Sequence, residues 1–247
     1  MKLKKEAVFA FIAVLATVAS AANIVLMGDS TLAPRTDNSR YGSWGDALKP
    51  ALADGNSVLN FAISGRTVRT FKPTWEKNFG KVVAGDFVII QFGINDASQK
   101  KLVEEDEFKK TLTEWVDAVL AKGATPILCS PVANAGWSKD AKPDSKFRLT
   151  SSRRKYGDFA KAVAEAKGVA YVDMTALTAG ELSKVGKDAA HAMYVGDSTK
   201  DGKPIFDTCH PSKSGAKRFA ELFVADVKAR KLPVAKLFKS GKEANDD

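Results

Sequence analysis

Five short apolar runs, each almost uninterrupted, are spaced along the chain with amphipathic stretches between them. They are Ile24–Met27, Val58–Ala62, Phe87–Phe92, Pro126–Cys129 and Ala170–Asp173. A strand wetted on one side alternates apolar and polar residues, whereas a run that is apolar throughout suits a strand covered on both faces. The stretches Trp44–Leu52, Glu105–Ala121, Arg153–Ala166 and Ser212–Ala229 read as helices. Ser151-Ser152 precede the third of these, and Ser212 is placed to cap the fourth. Gly123 and Gly168 stand where helices stop just before strands. This alternation predicts an α/β fold, a parallel sheet between two helical layers. No repeat, low-complexity tract or linker divides the chain, and 247 residues suit one domain. The stretch from Val132 to Thr150, after the fourth run, carries no clear element and is expected to overhang the sheet edge.

The N-terminus reads as a leader. Lys2, Lys4 and Lys5 precede the apolar stretch Ala7 to Val18, and Ala19-Ser20-Ala21 has the small-x-small pattern of a cleavage site. The expectation is a signal peptide over residues 1–21 and a single mature domain over 22–247, with a polar tail from about residue 240. The stretch is short for a membrane span, so the mature chain is expected secreted or periplasmic and off the membrane; a monomer is expected. The formal charge is +9. Lys and Arg are interleaved with Asp and Glu, so a solvated basic surface is expected and nucleic acid is not. Attraction to acidic polysaccharide is a second reading. Export permits a disulfide between the two cysteines, Cys129 and Cys209. Closing that loop would gain on the order of 4 kcal/mol. The sequence leaves that bond open, because it does not give the Cα separation.

Four blocks carry chemistry. Gly28-Asp29-Ser30-Thr31 follows the first run, Ile63-Ser64-Gly65-Arg66 the second and Gly93-Ile94-Asn95-Asp96 the third. The fourth, Asp207-Thr208-Cys209-His210, is read as the start of the last helix, folding back over the same edge. Carboxyl ends of parallel strands share one sheet edge, so the first three blocks converge. A serine hydroxyl needs a base to become a nucleophile. His210 can take the Ser30 proton and return it to the leaving group, and Asp207 can orient its ring. Acyl transfer also builds an oxyanion, for which the Ser30 N–H, the Gly65 N–H and the Asn95 amide are the candidate donors.

At these blocks the chain resembles the SGNH, or GDSL-type, hydrolases, whose Ser, Gly, Asn and His match Ser30, Gly65, Asn95 and His210. Within that superfamily it is most similar to the rhamnogalacturonan acetylesterase group. The similarity rests on Tyr41-Gly-Ser-Trp-Gly45, Asn60-Phe-Ala-Ile-Ser-Gly-Arg66, Arg69-Thr-Phe71, Gly85 to Gly93 and Leu232-Pro-Val-Ala-Lys236. The resemblance implies a three-layer α/β/α sandwich with a five-stranded parallel sheet (flavodoxin-like), no metal and no cofactor. It also implies removal of O-acetyl groups from plant cell-wall polysaccharide. The chain departs from that group at Ile94, where histidine is usual, which bears on the fine substrate. The alternatives are a lipid-directed esterase or lysophospholipase of the same fold, and a carbohydrate-binding protein without catalysis.

Other residues are open to more than one reading. Arg66 and Arg69 could contact acidic sugars or be paired with Asp or Glu. Trp137 is the better candidate for stacking on a sugar, and Trp44 suits the core. Asp29 and Asp96 are expected to hold turns, and His191 is expected at the surface. Gly-Asp-Ser-Thr recurs at residues 196–199. No confident strand precedes this copy and no helix follows it, so it reads as a loop. Neither the histidines nor the cysteines have metal-ligand spacing.

Overall fold

A computed structural model describes residues 21–136, 151–200 and 202–240. Its centre is a five-stranded parallel sheet of β1 (Asn23–Gly28), β2 (Ser57–Asn60), β3 (Phe87–Gln91), β4 (Thr125–Cys129) and β5 (Ala170–Val172), in the order β2-β1-β3-β4-β5. That is the flavodoxin-like order, with the switch in chain direction between β1 and β3. Register places Gly28 opposite Gln91 and Leu26 opposite Asn60, so β1, β2 and β3 end close together.

The unbroken apolar runs have the cause that their pattern suggested. Alternate residues of one strand feed different cores. Ile24, Leu26, Phe87 and Ile89 join one buried cluster; Val25, Met27, Val88 and Ile90 join the other. The first cluster is covered by α4 (Met174–Val185), α5 (Lys187–Ala192) and α6 (Lys213–Ala229), the second by α1 (Val68–Phe79), α2 (Glu105–Ala121) and α3 (Ser151–Lys167). This is the three-layer α/β/α sandwich.

Several elements differ from the sequence reading, α4 and α5 among them, for which no helix was expected. Trp44–Leu52 is only a 3-10 turn over Asp46–Ala51, which holds Pro50, a residue that cannot donate a helical hydrogen bond. Helix α1 carries the same disguise in Pro73, but the reciprocal Thr67–Thr70 capping box starts it firmly. The repeated Gly-Asp-Ser-Thr is not a loop: it lies in β6 (Tyr194–Lys200), paired antiparallel with β7 (Lys203–Pro211). The Asp207–His210 block is not at a helix start but on β7; Ser212 caps α6 just after it, accepting from Gly215 N–H at 3.2 Å. An antiparallel ribbon is held by its backbone ladder and lacks the apolar run that marks a central strand. Cys129 and Cys209 are not joined; Cys129 is buried at the end of β4, where burial pushes its thiol well up.

Candidate active site

β1 delivers Ser30 to the sheet edge through a tight turn in which Asp29 C=O accepts from Leu32 N–H and Ala33 N–H at 3.2 and 2.9 Å. Gly28 leaves no room for a side chain: a Cβ there would sit 2.6 Å from Leu32 Cδ1 and 2.8 Å from the Gln91 carbonyl oxygen. Beneath Ser30 lies a buried polar network. Asp29 Oδ1 accepts from Thr31 N–H and hydroxyl, both at 3.0 Å, and from Gln91 Nε2 at 3.1 Å. Gln91 Oε1 in turn accepts from Trp44 Nε1 at 2.9 Å. Asp29 therefore holds the turn, and Trp44 is core as its position suggested, with its indole N–H satisfied.

The structure brings the first and fourth blocks together across 180 residues. Ser30 Oγ is 2.9 Å from His210 Nε2, and His210 Nδ1 is 2.8 Å from Asp207 Oδ2. Asp207 Oδ1 also accepts from the backbone N–H groups of Cys209 and His210, each at 2.9 Å. Burial alone would raise this carboxyl, but the hydrogen bonds from the His210 ring and those two N–H groups outweigh it and hold Asp207 at about 2. An ionised carboxylate can only accept, so the ring proton sits on Nδ1 and Nε2 is left to accept from Ser30. Two residues absent from the sequence reading of the catalytic group frame this pair. Arg35 donates to the Ser30 carbonyl at 2.6 Å and lies 5.4 Å from the centre of the Tyr41 ring, which meets the His210 ring edge-on with centroids 5.5 Å apart.

The second and third blocks follow β2 and β3, the two strands that flank β1. Ile63 N–H donates to Gly28 C=O at 3.0 Å, extending the β1–β2 register into the Gly65 turn. Gly65 has φ +76°, a left-handed conformation that suits glycine. Lys101 Nζ donates to the Gly65 carbonyl at 2.8 Å, and Asn95 Nδ2 to the Arg66 carbonyl at 3.0 Å. The second hydrogen of the Asn95 amide remains for another acceptor. Asp96, fully buried, accepts from Val68 N–H at 2.8 Å and Gly93 N–H at 3.0 Å. Burial outweighs these bonds and pushes its carboxyl up to about 7.

The remaining candidates separate. Arg66 is exposed beside the Gly65 turn. Arg69 is bound at both ends of its fork by Glu107 of α2, with Nε donating to Oε1 at 2.8 Å, so its guanidinium is engaged within the protein. Ile94, next to Asn95 in the chain, is half-buried. Trp137 and the tail beyond residue 240 lie outside the described residues, as does the leader up to residue 20. His191 stacks obliquely on Phe206, with centroids 5.0 Å apart, on the β6–β7 side. Among the described residues, no cluster of three or more His, Cys, Asp or Glu side chains could hold a metal ion, and no helix is long and apolar enough to cross a membrane.

Residues 26–218 match the family model of GDSL-like Lipase/Acylhydrolase proteins. An uncharacterized esterase of Bacillus subtilis, YxiM, is 30% identical over 216 residues, covering 83% of this chain and 51% of that protein. The chain thus spans about half the length of that relative. The YxiM crystal structure superposes with a TM-score of 0.74 at 27% identity, covering 86% of this chain and 58% of the other. A probable rhamnogalacturonan acetylesterase of the same organism, YesY, is 26% identical over 86% of this chain and 95% of its own. The crystal structure of a catalytic mutant of Axe2, an acetylxylan esterase from Geobacillus stearothermophilus, aligns with a TM-score of 0.61 at 25% identity, covering 84% of this chain and 94% of that one.

Proposed function

The chain belongs to the GDSL-like Lipase/Acylhydrolase family, and from that premise we propose that it is a serine esterase that removes O-acetyl groups from plant cell-wall polysaccharide, pectin or rhamnogalacturonan or xylan. The observation that carries the reading is the continuous relay Ser30 Oγ, His210, Asp207, at 2.9 and 2.8 Å. Ser30 attacks the acetyl carbonyl while His210 Nε2 takes its proton, and Asp207 stabilises the imidazolium that forms. The oxyanion is received by the Ser30 and Gly65 N–H groups and the Asn95 amide. His210 then protonates the departing sugar hydroxyl. Water, activated by the same ring, frees acetate from the acyl-enzyme. The substrate class is supported by the relatives' names and by the exposed Arg66 at the rim, a fit for an acidic sugar. Residues 1–21 act as a leader, so the enzyme works outside the cytoplasm.

The test is acetate release from acetylated pectin, rhamnogalacturonan and xylan by the protein from residue 22 onward, with p-nitrophenyl esters from acetyl to octanoyl alongside. Release from at least one polymer, with activity falling as the acyl chain lengthens, is expected. Activity rising toward octanoyl would move the assignment to lipid esters. Binding of a polymer without acetate release would make it a carbohydrate-binding protein. Mass spectrometry of the exported protein should find its N-terminus at Ala22.

A further inference from the structure

We propose that Asp96 is the positioning residue of the oxyanion hole: its buried carboxylate bridges the turn that carries Asn95 to the start of α1, and so sets the Asn95 donor against the Gly65 donor. The inference rests on the esterase reading above. Gly65 and Arg66 run directly into the first turn of α1. That turn is locked by Thr67, whose hydroxyl accepts from Thr70 N–H at 3.1 Å and whose N–H donates to Thr70 Oγ1 at 3.0 Å. A helix start leaves spare N–H donors. Asp96 Oδ1 takes the one on Val68 at 2.8 Å, while its Oδ2 takes Gly93 N–H at 3.0 Å and closes the turn that presents Asn95. The Asp96 carbonyl accepts from Val103 N–H at 3.1 Å, anchoring the same turn from the other side. One carboxylate thus fixes both donor segments, and the Asn95 amide is steadied further by the Arg66 carbonyl at 3.0 Å.

A buried carboxylate that merely anchors backbone has its counterpart at the opposite end of β3. Asp86 accepts from Asn23 N–H and Nδ2, each at 2.9 Å, and from Val83 N–H at 3.0 Å. It lies at the sheet edge away from Ser30, and so serves as a matched control.

The experiment compares Asp96→Asn, Val68→Pro, Asp86→Asn and Asn95→Ala by kcat and KM on p-nitrophenyl acetate, with melting curves to set the folded fraction. Asp96→Asn puts an N–H₂ where an N–H donor needs an acceptor. Val68→Pro deletes the N–H on the other side of the contact. Proline is well tolerated at the first helical position, and Thr67 is already extended at φ −97°, ψ 169°, as a residue before proline must be. We expect kcat to fall about 10- to 100-fold in Asp96→Asn and about 5-fold or more in Val68→Pro, with KM within about 3-fold. Asp86→Asn should lower the melting temperature and leave kcat unchanged. If Asp96→Asn does not fold, Val68→Pro alone decides. A kcat within about 2-fold of the parent in the folded variants, alongside a loss of about 10²–10³ in Asn95→Ala, overturns the positioning role and spares the esterase reading. An unaffected Asn95→Ala overturns the oxyanion assignment itself, and the positioning role with it.

Discussion

Gly-Asp-Ser-Thr occurs at residues 28–31 and again at 196–199, and the same four residues are used in opposite ways. The first copy ends a strand buried on both faces. Its Asp29 and Thr31 are fully buried and bonded to each other and to Gln91. The second lies within an antiparallel ribbon, with Asp197 and Thr199 exposed and Gly196 in the left-handed region at φ +72°. Arg40, from the loop that follows the first copy, bonds to the Val195 and Asp197 carbonyls. Gly196 is registered against Asp207, on the strand that carries His210. A tetrapeptide does not make a nucleophile. The first copy differs in its strand, which delivers Ser30 to a sheet edge, and in the His210 ring that reaches it there at 2.9 Å.

The largest separation of the two copies is in catalysis. Ser30→Ala should lower turnover of p-nitrophenyl acetate by about 10⁴-fold or more, since the relay acts as a unit. The same exchange in the second copy, Ser198→Ala, should leave turnover unchanged. Loss of activity in Ser198→Ala and its survival in Ser30→Ala would reverse the assignment of the copies.

Next comes stability at the aspartates. Asp29→Ala removes the acceptor of three buried hydrogen bonds and should cost about 2–4 kcal/mol in urea unfolding. Asp197→Ala, at an exposed position, should stay within about 0.5 kcal/mol. Equal losses would mean that burial of the first copy contributes nothing to the fold.

Much of this contrast is legible in the sequence. The apolar run before Ser30 and the glycine and asparagine blocks at later strand ends carry local signals that a parallel sheet gathers to one edge; the histidine block reads as a helix start but lies on β7 of the separate ribbon. What was hidden depends on pairing at a distance. Gln91 inside an apolar run gives no sign that it bonds to Thr31 and to Trp44, far away in sequence. Arg35 looks like an ordinary loop residue until the fold sets it against the Ser30 carbonyl, and Tyr41, though part of a motif, gives no sign that it meets His210. The β6–β7 ribbon was missed because its strands are polar and gain their order from each other. Helix α1 was missed because Pro73 masks its periodicity.

A smaller effect, set by pH, concerns the residue registered against the second copy. Asp207, held across from the second copy, sits at about 2 because hydrogen bonds from His210 and Cys209 outweigh the penalty of burial. A carboxyl lowered in the folded state stabilises the fold fully above its ordinary value, near 4, and loses that contribution as pH falls through about 2. The stability gap between the parent and Asp207→Asn should close as pH falls from about 4 toward 2. A gap that stays fully open down to pH 2 would contradict the lowered carboxyl.

The smallest effect concerns the glycines. At Gly28 an added Cβ meets backbone and side chain at 2.8 and 2.6 Å, whereas at Gly196 its nearest neighbours are Phe206 ring carbons at 3.4 and 3.5 Å. Gly196→Ala therefore meets no serious clash, and what remains is the strain of a left-handed alanine, about 1 kcal/mol. Because Gly196 is registered against Asp207, relief of that strain would move β7 and with it His210. Gly196→Ala should lose about 1 kcal/mol in urea unfolding together with a drop in kcat of only a few-fold, at unchanged KM. A loss of stability with kcat untouched would show that the second copy supports the ribbon but not the base. A loss matching that of Gly28→Ala would erase the difference in packing between the two copies.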